Sequence, residues 1–113
     1  MEVDAKDDYW ATFADAKKIL RRFRTTAKPL GYCTAIFGST VLNGAGHDID
    51  VQMAGTDSQS IEPGPLAMRL VKKHAKRLLM YEEKELGDCQ DVWVIFVTHD
   101  NHYIDLHIKG ATE

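Results

Sequence analysis

Apolar residues recur with two periods along this chain, and the alternation between those periods sets out its elements. Over residues 5–26, Tyr9, Phe13, Ala16, Leu20 and Phe23 follow one another at steps of four, three, four and three, with Trp10 and Ile19 widening the stripe. That spacing predicts an amphipathic helix over 5–26, with acids early and bases late as the helix dipole favours. Pro29 and Gly31 end it. The next run, 32–37, reads as a strand that delivers the chain to Gly38-Ser39. Residues 40–43 have room for one helical turn, and Gly44 and Gly46 supply the freedom to turn back.

Residues 48–53 then alternate strictly, with Asp48, Asp50 and Gln52 on one side and Ile49, Val51 and Met53 on the other. The stretch 54–64, rich in Gly, Ser and Pro, reads as a loop. Pro65 is placed to open a second helix, running to about residue 86 and closed by Gly87. Leu70, Val71, Ala75, Leu78 and Leu79 form its apolar face. Arg69, Lys72, Lys73, Lys76 and Arg77 form the opposite one. Residues 91–98 are apolar almost throughout, which predicts a central strand covered on both faces, with Trp93 and Phe96 in the core. His99 to His102 form a turn. In the last strand, 103–109, Ile104, Leu106 and Ile108 face inward while Tyr103, Asp105 and His107 face outward. The fold class expected is therefore α+β, a small mixed sheet packed with two main helices.

Length and composition narrow the picture modestly. A chain of 113 residues with 44% hydrophobic and 27% charged content is expected to form one domain over 1–113. No run approaches the roughly 18 apolar residues of a membrane span. The acidic start, Glu2, Asp4, Asp7 and Asp8, is unlike a secretory signal, so a cytoplasmic location is expected. Cys33 and Cys89 lack the spacing of a disulfide framework or zinc site and read as free, buried thiols. Net charge is −3, yet eleven of the fourteen basic residues fall within 17–28 and 69–77, so the chain is polarised.

The chemistry gathers on residues 37–53. Carboxylates at alternate positions of one strand repel each other, an arrangement that divalent cations relieve. A Gly-Ser turn beside them is suited to an anion. Gly38-Ser39 followed by Asp48-x-Asp50 resembles the signature of the DNA polymerase β-like nucleotidyltransferase superfamily. The run Phe37-Gly38-Ser39-Thr40-Val41 is similar to that of the terminal transferases and the minimal nucleotidyltransferases. Members carry a third acid on a later strand, and Asp105 stands at that place here, so the order of motifs agrees along nearly the whole chain. Two features depart from the pattern. The insert between Ser39 and Asp48 is shorter than usual, at eight residues, and His47 stands where Ser commonly precedes the first Asp.

The resemblance implies a magnesium-dependent enzyme that transfers a nucleoside monophosphate from a nucleoside triphosphate to a hydroxyl acceptor. Asp48 and Asp50 would hold two magnesium ions, and Asp105 one of them. Gly38 and Ser39 would contact the triphosphate. Lys72 and Lys73, on the basic helix face, are assigned to triphosphate or RNA, against the plainer reading of a solvated face. The acceptor implied is a protein side chain or a tRNA or other RNA end, brought by a helical partner protein or a homodimer. The alternative is a nucleotidyltransferase-like fold that acts as a binding, inhibitory or antitoxin-like module without turnover. Asp-x-Asp also occurs in haloacid-dehalogenase-type phosphatases, but Gly46-His47 before it and Gln52 after it fit those poorly. Glycosyltransferases that use it are far longer. Arg69-x4-His74 matches a spacing found in helical RNases and is read as coincidence. His107 either lines the site with Asp105 or is a spectator.

Overall fold

The computed structural model describes residues 5–87 and 89–111, so the acidic positions Glu2 and Asp4 lie outside the described residues. Among the described residues seven strands and three α-helices follow in order: β1 (Ala11–Thr12), α1 (Phe13–Ala27), β2 (Tyr32–Phe37), α2 (Ser39–Leu42), β3 (Ala45–Gly46), β4 (Asp48–Gly55), α3 (Pro63–His74), β5 (Ala75–Leu86), β6 (Cys89–Thr98) and β7 (Tyr103–Lys109). Five strands make one mixed sheet in the order β2-β4-β7-β6-β5, and β1 and β3 pair separately. Within the large sheet only β4 and β7 run parallel; the other neighbours are antiparallel. The α+β class with a mixed sheet is thus observed.

Alternation explains the layering. Ile49, Val51 and Met53 of β4, Val92, Val94 and Phe96 of β6, and Ile104, Leu106 and Ile108 of β7 are all buried in one core with Ile19 and Phe23 of α1 and Leu66 and Leu70 of α3. Both main helices therefore cover a single face of the sheet. The opposite face carries Asp50, Gln52, Trp93, Ile95, Asp105 and His107, half-buried or exposed. The expectation that residues 91–98 are covered on both faces is corrected accordingly: only alternate residues of β6 from Val92 to Phe96 enter the core, and Trp93 is not among them.

The first helix starts at Phe13, not residue 5. The Thr12 hydroxyl accepts from the Asp15 backbone N–H at 3.2 Å while the Asp15 carboxylate accepts from the Thr12 N–H at 2.8 Å. This reciprocal cap satisfies two end donors and fixes the start. Tyr9 and Trp10 share the apolar spacing but lie ahead of the cap, with Trp10 60% exposed. A 3₁₀ turn over Lys28–Leu30 and Gly31 at φ 87 close the helix where Pro29 and Gly31 were expected to.

The larger correction concerns residues 75–86, expected as the second half of a helix. They form β5, which pairs antiparallel with β6 from Ala75↔Thr98 to Leu86↔Cys89, with register shifts near Arg77 and Met80. Its Lys, Arg, Leu, Met and Glu residues favour a helix locally. β6, however, would otherwise expose a full edge of unpaired backbone groups beside an apolar strand, and the pairing overrides propensity. Gly87, at φ 66, turns the hairpin rather than capping a helix. The sheet accordingly has five strands where four were expected. Of the two thiols expected to be buried, Cys89 is, with Sγ 3.0 Å from the Gly110 carbonyl, whereas Cys33 is exposed. Among the described residues no helix is long and apolar enough to cross a membrane.

The helix start is testable by Thr12→Ala. At an N-cap the change lowers stability by ~1 kcal/mol. In the interior of a helix running from residue 5 it would raise stability by a few tenths of a kcal/mol. Urea unfolding decides between the two signs.

Candidate functional site

Parallel pairing of β4 with β7 sets Asp50 directly opposite Asp105, and Asp48 opposite Tyr103. Because both strands alternate in phase, their aliphatic residues enter the core together and their acids emerge together. Asp48, Asp50 and Asp105 each offer a carboxylate oxygen, and these three oxygens lie within 4.8 Å of one another. Asp48 is the most enclosed, its side chain 9% exposed, while Asp105 is 24% exposed. Lys6 approaches Asp48, Nζ to Oδ2 at 3.8 Å. The carboxyl of Asp50 is pushed up to about 6, first by burial, then by the charges of Asp48 and Asp105, with Lys6 acting weakly the other way.

Gly38 completes the cluster from β2. Phe37 pairs with Asp50, so the chain leaving β2 passes beside that carboxylate. Gly38 has φ 85 and ψ −168, a region essentially restricted to glycine. A Cβ at this position would overlap Oδ2 of Asp50. Ser39 follows, exposed, as the first residue of α2. Thr40, fully buried, donates its hydroxyl to the Asp48 carbonyl and ties α2 to the start of β4. The short insert between Ser39 and Asp48 is held by a segment that its sequence did not point to. β3 pairs with β1, the Phe13 N–H donates to the Gly44 carbonyl at 2.8 Å, and His47 Nδ1 lies 2.9 Å from the Tyr9 carbonyl. Trp10 sets its ring edge-on to His47, and Tyr9 packs against Tyr103. Residues 6–12, expected as helix, thus run along the edge of the site and bring Lys6 to it.

On the other side stands Trp93, expected in the core and found on the open face. Its indole Nε1–H donates to Asp105 Oδ1 at 2.6 Å, and its ring stacks on His107 with centroids 5.3 Å apart and planes 28° apart. His107 therefore does line the cluster, with Nε2 3.7 Å from the same oxygen. Phe96 is in the core as expected. The parity of β6 was the available signal: Trp93 is out of phase with Val92, Val94 and Phe96. His102 belongs to the β6–β7 turn, near Asp15 and Asp100.

Lys72 and Lys73 are not brought to the carboxylates. α3 lies on the helical face through Leu66, Ala67 and Leu70, and the acids project from the other. Both lysines are exposed near its C-terminus, where Lys73 lines a cleft of about 380 Å³ with Arg22, His74, His99 and Asp100. The rest of that basic run, Lys76 and Arg77, lies on β5 instead of continuing a helix face. No protein-family model matches the chain, and no curated protein matches it either.

The crowding of charge has a measurable consequence. Asp50 ionises near the ordinary value of 3.8 in the unfolded chain and near 6 when folded. Its ionisation thus costs nothing below about pH 4, progressively weakens the fold as pH rises to about 6, and keeps it weaker above. Asp50→Asn in metal-free buffer at pH 7.5 should raise stability by ~1 kcal/mol, a value reduced for the half-exposed position, or about 4–8 °C in melting temperature. The gain should vanish near pH 4. An equal melting temperature at pH 7.5 contradicts the charge crowding.

Proposed function

We propose that this protein is a minimal nucleotidyltransferase with a DNA polymerase β-like fold, transferring a nucleoside monophosphate from a nucleoside triphosphate to a hydroxyl acceptor. The observation that carries the reading is the register of Asp50 with Asp105 on parallel neighbours, with Asp48 beside them and Gly38 packed against Asp50. The donor set fits magnesium: three carboxylates whose oxygens converge within 4.8 Å, the hard oxygen ligands that this cation takes. Asp48, Asp50 and Asp105 would hold two such ions, which when bound neutralise the triphosphate and acidify the acceptor hydroxyl.

The chain's own contribution is placement. The acceptor oxygen forms a bond to the α-phosphorus, the bond to the β-phosphate bridge breaks, pyrophosphate leaves and the hydroxyl proton passes to solvent. Gly38 lets backbone come close to the phosphates because no side chain intervenes, and Ser39 offers its amide and hydroxyl there. Thr40 fixes the turn to β4 so that these donors keep their distance from Asp48. Lys72 and Lys73 have no part in this reading. The acceptor we propose is a protein side chain or an RNA or tRNA end, presented by a partner or a second copy, and the setting we propose is the cytoplasm.

Exposed apolar groups next to the turn favour a second reading. Leu42 is 84% exposed and Phe37 45% exposed. Such a surface suits a protein partner, either one that carries the acceptor or one that is bound without turnover.

Calorimetric titration of each nucleoside triphosphate with magnesium, into wild type and Asp48→Asn/Asp50→Asn, separates these readings. The enzyme reading expects magnesium-dependent binding of at least one triphosphate, lost in the double variant. Absence of binding for all four would overturn it and favour the partner-binding module.

A further inference from the structure

We propose that Trp93 is a positioning residue for Asp105: its indole N–H engages one carboxylate oxygen so that the side chain presents only the other to a bound cation. The inference rests on the nucleotidyltransferase reading of the carboxylate cluster and goes beyond it by assigning a role to a residue that is neither ligand nor core. The indole N–H is a donor with no acceptor capacity, and at a half-buried position it needs a partner. It finds Oδ1 of Asp105 at 2.6 Å, a close hydrogen bond for an N–H donor.

Sheet register makes this contact reproducible. Trp93 pairs with His107 across β6 and β7, and Ile95 pairs with Asp105, so the indole reaches its carboxylate along the diagonal of the same face. His107 then stacks on the indole and holds its Nε2 3.7 Å from the same Oδ1. Two rings therefore crowd Oδ1, and among the described residues Oδ2 has no such neighbour. A carboxylate held at Oδ1 in this way is biased toward meeting an ion through Oδ2 and is restrained from turning between two ions. Among the three acids, only Asp105 has an aromatic N–H donor of this kind among the described residues. Partners that orient a ligating group in this way typically carry 10–100-fold in metal affinity.

Two measurements test it without relying on turnover. The chain has two tryptophans, and Trp10 lies outside the cluster, so Trp10→Phe leaves Trp93 as the only indole. Magnesium titration of Trp10→Phe should change the Trp93 emission saturably, and the change should be absent in Trp10→Phe/Asp105→Asn. This arm needs no substitution at Trp93 and stands even if Trp93→Phe folds poorly. In the second arm, calorimetric manganese titration should find Trp93→Phe, which keeps a ring on His107 but lacks the N–H, at least about tenfold weaker than wild type. Wild type that binds manganese, with silent Trp93 emission or with equal affinity in Trp93→Phe, overturns the positioning role and leaves the nucleotidyltransferase reading standing. Wild type that binds no manganese overturns both.

Discussion

The parallel pairing of β4 with β7 is the constraint on which the rest of the structure depends. In an otherwise antiparallel sheet it joins two strands far apart in sequence, and the chain runs through α3, β5 and β6 before β7 returns to lie beside β4. Both strands carry aliphatic residues at alternate positions, and those residues need the core under α1 and α3. A slip by one position would put Asp50 or Asp105 into that core, so burial of Ile49, Val51, Ile104 and Leu106 fixes where the acids stand. Hydrophobic burial thus holds together carboxylates that repel each other.

That repulsion is a local cost sustained by the surrounding fold. At Asp50 burial adds to it, and together burial and the two neighbouring charges push that carboxyl up to about 6. The fold adds a second constraint at the same place, because Gly38 adopts a backbone conformation open to little but glycine and lies against Asp50. Around this pair the chain is tied down closely. Thr40 bonds the Asp48 carbonyl, β1 pairs with β3, and Trp93 bonds Asp105. The cluster thus concentrates unfavourable charge beside a glycine-only turn, within a well-packed scaffold.

What could be read from the sequence was whatever alternation alone determines. The strands at 32–37, 48–53 and 103–109, and with them Asp48, Asp50 and Asp105 on one face, follow from period-two patterns that the structure retains. Four features escaped: two because tertiary context decided them, and two although the sequence carried a signal. Residues 75–86 are composed of helix formers and became a strand only because the edge of β6 needed a partner. Tyr9 and Trp10 extended the apolar stripe of α1, while the Thr12–Asp15 cap, a local signal present in the sequence, placed them outside it. Lys72 and Lys73 were assigned to the nucleotide on the strength of a basic helix face, and which side of the sheet that helix covers is not written in the helix. Trp93 was taken for core by its composition when its parity along β6 put it beside Asp105.

Diffraction from crystals grown with manganese, using its anomalous signal, tests the central claim most directly. Anomalous density is expected among Asp48, Asp50 and Asp105, with Asp105 contributing a single oxygen. Density at other sites alone, or none among these carboxylates at millimolar manganese, would contradict it.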